Sequence, residues 1–69
     1  MPSDTSLTGA PDLARETDAV IAAFGLAVTR NNLLVMAEEM QVRLRIFRGG
    51  VLLAGRIVRE LQRRALAIR

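Results

Sequence analysis

The sequence contains no cysteine and no histidine. Disulfide stapling is therefore excluded, and the common zinc ligand sets are absent. The lack of histidine also removes the commonest acid–base side chain near neutral pH. Tyrosine and tryptophan are missing and phenylalanine occurs twice, so aromatic side chains that stack single-stranded bases are few. Lysine is missing as well: all ten basic residues are arginine, a bias that a GC-rich genome produces by itself. Long apolar runs are lacking. The longest, Ala19 to Val28, contains a glycine and is too short to cross a bilayer. Asp4 stands where an export signal needs a basic residue. No transmembrane segment is expected.

What remains is a chain of 69 residues, 51% hydrophobic, dominated by alanine, leucine and arginine. These are strong helix formers. A chain this short buries only about 60% of its unfolded surface and gains much from partner chains. Its net charge of +3 is divided unevenly. Met1 to Val42 carries −4 and Arg43 to Arg69 carries +7. Such a division points to an anionic partner or to charge matching between subunits.

Residues 1–10 are rich in Ser, Thr, Pro and Gly and read as a flexible leader. A single helical domain is expected over 11–69. Its first helix is predicted from Pro11 to Arg30, with Leu13, Val20, Phe24 and Ala27 on one stripe, Ile21 and Val28 beside it, and Gly25 tolerated inside. Arg30-Asn31-Asn32 is the expected turn, since Asn accepts left-handed backbone and caps helices; an unbroken helix through Asn31 is the alternative. The second helix is predicted from Leu33 nearly to Arg69. Its main stripe is Leu33, Met36, Met40, Leu44, Phe47, Val51, Ala54, Val58, Leu61, Ala65 and Ile68. A second stripe is Val35, Val42, Ile46, Leu53 and Ile57. The two stripes cover about 200° of the helix, more than the apolar arc of an ordinary surface helix. The excess calls for another chain or a membrane surface. Gly49-Gly50 and Gly55 either break this helix or permit close contact. The expected fold class is thus all-α: a helix–turn–helix hairpin with a long C-terminal amphipathic helix.

Motifs that carry chemistry are weak. Gly50 to Arg56 has the glycine spacing of a phosphate-binding loop without its lysine, its Ser or Thr, or a preceding strand. Arg48-Gly49-Gly50 is an isolated RGG. Asp12 with Glu16, and Glu38 with Glu39, are the only close carboxylates, best suited to helix dipoles and solubility. Met36 and Met40 read as core packing. No catalytic, cofactor-binding or metal site is expected, and the chain is read as a non-enzyme.

From Asn32 onward the sequence resembles the C-terminal half of type III secretion needle subunits and, more distantly, of inner-rod subunits. Leu33-Leu34 matches their Leu-Leu pair. Leu44-Arg45-Ile46-Phe47-Arg48 stands where they carry Tyr-Asn-Leu-Tyr-Arg, and the terminal Arg69 matches the arginine that ends one branch. The Pro-Ser-Asp-Pro turn and N-terminal tryptophan motif of needles are absent, and this C-terminal half is more basic. The resemblance implies a helical hairpin that buries its excess apolar surface in a polymer, with Arg48 and Arg69 near a lumen. It also implies a chain made in the cytoplasm and then secreted or held at the cell envelope.

The expectation is therefore a structural subunit that joins copies of itself or sister subunits. Leu44, Phe47, Val51, Leu53, Ile57, Val58 and Leu61 form its candidate self-assembly interface. Arg45, Arg48, Arg56, Arg59 and Arg63 form a basic face. The alternative is a small helical dimer that meets nucleic acid or an acidic protein through that face. A third reading is an accessory subunit of an enzyme.

Overall fold

A computed structural model of the chain describes residues 12–43 and 50–68. These are helical throughout apart from short caps and one turn: α1 (Leu13–Phe24), α2 (Arg30–Val42) and α3 (Gly50–Ala67). The all-α class and the hairpin-like arrangement with a long C-terminal helix hold. The leader, Pro11, the segment from Leu44 to Gly49 and Arg69 lie outside the described residues.

The helix boundaries differ from those read in the sequence. Asp12 is the N-cap of α1, not a helical residue, and its carboxylate accepts the Arg15 backbone N–H at 3.2 Å. Gly25 ends the helix instead of riding inside it. Its backbone is left-handed (φ 69°, ψ 19°), and its N–H bonds to the carbonyls of Ile21 and Ala22. Only glycine adopts that conformation without strain from a Cβ. Thr29 then caps α2. Its hydroxyl accepts the Asn32 N–H at 3.1 Å, and the Asn32 side-chain amide donates back to the Ala27 carbonyl at 2.9 Å. The turn is thus 25–29, and the expected turn at Arg30-Asn31-Asn32 is the first turn of α2. Apolar Ala27 and Val28 extend the helical period through a segment that the caps on either side exclude from both helices.

The second helix is not continuous from Leu33 to Arg69. It stops at Val42, where the Arg43 N–H bonds to the carbonyls of Glu39 and Met40. Helix α3 starts at Gly50, whose φ is 90°. Among the described residues the two pieces pack more extensively on each other than either does on α1. Gln41 near the end of α2 borders one open cleft with Gly55, Val58, Arg59 and Gln62 from the middle of α3, and the two helices pack as a hairpin-like pair.

This reversal explains where the broad apolar arc goes. Helix α2 buries Leu33, Met36, Ala37 and Met40, and α3 buries Ala54, Ile57, Val58, Leu61 and Ala65. Each set spans an arc of about 100°, an ordinary width for a helix against one core. Leu13, Val20, Ile21 and Phe24 of α1 pack on that core from the side, with Leu53 and Ile68. Burying a side chain such as Leu33, Ile57 or Leu61 contributes about 1.5–3 kcal/mol each. Thr17 is the buried polar residue of α1. Its hydroxyl donates to the Leu13 carbonyl at 2.7 Å, so the buried polar group is satisfied within its own helix.

Candidate functional site

The described residues place the candidate interface on both sides of the chain surface. Ile57, Val58 and Leu61 are buried within the chain, Leu53 is half-buried, and Val51 is exposed. Leu44 and Phe47 lie outside the described residues. Outside the core, α2 exposes Leu34, Val35 and Val42, and α3 exposes Val51, Leu52 and Leu66. Leu52 and Leu66 keep 83% and 72% of their surface, and Val42 keeps 79%. On a helix of 3.6 residues per turn, Leu52 and Leu66 lie on the side of α3 away from the core, and Val35 and Val42 share one side of α2.

The basic face is only partly free. Arg45 and Arg48 lie outside the described residues. Arg56 and Arg59 project outward between Leu52 and Leu66 and make no ion pair among the described residues. Arg63 is committed. Its Nε donates to Glu60 Oε1 at 2.9 Å and its Nη2 to Glu60 Oε2 at 2.6 Å.

Glu60 belongs to a clasp of which the sequence shows only the part within α3. Arg64 Nε also donates to Glu60 Oε2 at 2.9 Å. The same guanidinium reaches α1, where Nη1 donates to Asp18 Oδ1 at 2.6 Å and Nη2 to the Ala14 carbonyl at 3.3 Å. A planar guanidinium with five donors suits such bridging. Hydrogen bonds from Arg63 and then Arg64 lower the Glu60 pKa to about 2, against a smaller opposing effect of desolvation. Asp18 and Glu60 in turn hold Arg64 more firmly protonated. The spacing of Glu60 to Arg64 is a favourable i,i+4 pair readable in sequence; its link to Asp18 spans 46 residues and leaves no local signal. Part of the charge asymmetry between the halves is therefore resolved inside one chain.

Other motifs take structural roles. Asp12 caps α1 and Glu16 sits in its first turn. Glu39 pairs with Arg43 at 3.5 Å, whereas Glu38 is exposed and makes no ion pair among the described residues. Gly50 to Arg56 forms the opening turns of α3 instead of a phosphate-cradling loop. Met36 and Met40 are core residues. A shallow open cleft of about 250 Å³ lies between α2 and α3, lined by Gln41, Gly55, Val58, Arg59 and Gln62. Arg59 is its single charged group, so the cleft holds no acid–base pair.

Comparison with protein-family models, curated proteins and solved structures finds no match. Among the described residues no group of three potential metal ligands comes together, and no helix is long and apolar enough to cross a membrane. The geometry thus offers interaction surfaces: two helix faces on which exposed apolar side chains alternate with charge.

Proposed function

We propose that this protein is a structural subunit whose exposed helix faces are covered by other chains in an oligomeric assembly. The observation that carries the reading is the set of large apolar side chains left outside the core of the described residues: Leu34, Val35 and Val42 on α2, and Val51, Leu52 and Leu66 on α3. Single exposed apolar residues are ordinary, but rows of them along two helices mark contact surfaces. A needle or inner-rod component of a secretion conduit is the specific assembly that Leu33-Leu34 and Leu44 to Arg48 bring forward. The stop of α2 at Val42 departs from the unbroken C-terminal helix of that resemblance. The test is sedimentation across the micromolar range with electron microscopy of the products. Rings or filaments support the subunit reading, filaments with a lumen support the conduit, and a compact monomer at all concentrations defeats both.

One observation favours a second reading. Arg56 and Arg59 are outward-facing and have no ion-pair partner among the described residues, as a surface that tracks phosphates requires. In that case a discrete dimer binds DNA or RNA with an affinity that falls steeply with salt. Replacing Arg56, Arg59 and Arg63 by glutamine then flattens the log–log salt slope by up to about three. As a subunit, the same variant assembles nearly as well as the parent if these charges only face solvent or a channel.

A further inference from the structure

The outward strips of α2 and α3 are opposite in charge as well as alike in being apolar. On α2, Glu38 stands one helical turn from Leu34, Val35 and Val42, all exposed. On α3, Arg56 and Arg59 stand between Leu52 and Leu66, also exposed. None of these three charges has an ion-pair partner among the described residues, while neighbouring Glu39, Arg63 and Arg64 are each paired within the chain. On the helical wheel each strip is centred roughly 165–170° from the buried arc of its own helix. Each strip thus lies away from the buried arc of its own helix, and Arg59, on the edge of the α3 strip, also borders the open cleft beside Gln41 of α2.

We propose that the outer face of α3 in one copy docks on the outer face of α2 in the next, with Arg56 and Arg59 against Glu38 and Leu52 and Leu66 against Leu34, Val35 and Val42. This interface rests on the subunit reading and specifies its partner as a second copy of the chain. Its two halves are different surfaces, so it is heterologous. Repetition of one such contact generates a ring when the rotation closes and a filament when it does not. Charge sets the pairing: α3 on α3 would bring guanidinium groups together, and α2 on α2 would oppose Glu38 to itself. Like charges across an interface disfavour both.

The experiment is a charge swap on the full chain, read by sedimentation at constant protein concentration, with helix content checked by circular dichroism. Glu38→Arg and Arg59→Glu each raise the concentration needed for association by about tenfold or more through like-charge contact. The double variant, and an equimolar mixture of the two single variants, return to within about threefold of the parent, because each restores an opposite-charge pairing. Association of the parent also weakens as salt is raised. Tighter association of Arg59→Glu alone identifies an α3-on-α3 contact and overturns the proposal. Unchanged association of both single variants, or no recovery in the mixture, overturns it while leaving the subunit reading intact. A parent that remains monomeric, including one that binds an oligonucleotide as a monomer, overturns both.

Discussion

Replacing Glu60 by glutamine keeps the side chain's shape and removes its charge. Arg63 then loses a bidentate partner, but it is largely exposed and is rehydrated. Arg64 is the costly loss. Its side chain is 23% exposed and that of Glu60 is 12% exposed, so their bond at 2.9 Å is partly shielded from water. A charge-assisted hydrogen bond contributes roughly 1.5–3 kcal/mol, and discounting for the remaining solvent leaves about 1–2 kcal/mol. For a domain of this size that lowers Tm by about 5–10 °C. The pH dependence is a sharper test. The folded-state pKa of Glu60 is lowered from 4.5 to about 2, so its ionised form is favoured by folding. The stabilisation is fully present above the unfolded pKa and is lost as pH falls through the folded one. The stability gap between parent and Glu60→Gln, measured by urea unfolding at one protein concentration, is expected to stay constant above about pH 5 and to close toward about pH 2. A gap that is absent at neutral pH, or that persists unchanged in acid, refutes the clasp as a source of stability.

Three further substitutions probe the fold. Leu61→Ala removes a fully buried side chain and should cost about 2–5 kcal/mol in urea unfolding, enough to leave a chain of this length largely unfolded on warming. Gly25→Ala meets open space but keeps a left-handed backbone, so a cost of about 1–2 kcal/mol in unfolding free energy is expected from conformation alone. Thr17→Val keeps the volume and removes a hydroxyl whose bond lies within its own helix; the change in Tm should correspond to less than about 1 kcal/mol.

The core was legible because it depends on periodicity. Leu33, Met36, Met40, Ala54, Val58, Leu61 and Ala65 fall on the predicted stripe and are buried. Val51 falls on the same stripe, yet it is exposed at the start of α3. The boundaries were less legible. Gly25 and the later pair Gly49-Gly50 are compatible with helix interior or helix end, and apolar Ala27 and Val28 carry the helical pattern across a true turn. Asn31-Asn32 looked like the turn because Asn tolerates such backbone, yet Thr29 supplied the cap and Asn32 bonded back across it.

For the candidate surfaces, the sequence by itself determined the all-helical class, the apolar residues available for a core, the lack of catalytic His and Cys chemistry, and the uneven charge. Tertiary structure decided which of those residues are spent inside the chain. By folding α3 back on α2, it turned one overly wide apolar arc into two facing arcs of ordinary width and left Leu34, Val35, Val42, Leu52 and Leu66 outside. It also took Arg63 and Arg64 into a clasp with Glu60 and Asp18 while Arg56 and Arg59 stayed unpaired among the described residues. The reason is physical: helical period is a local property of the chain, whereas burial and ion pairing depend on which distant segments meet, and the 46-residue separation of Asp18 and Arg64 leaves no trace in spacing.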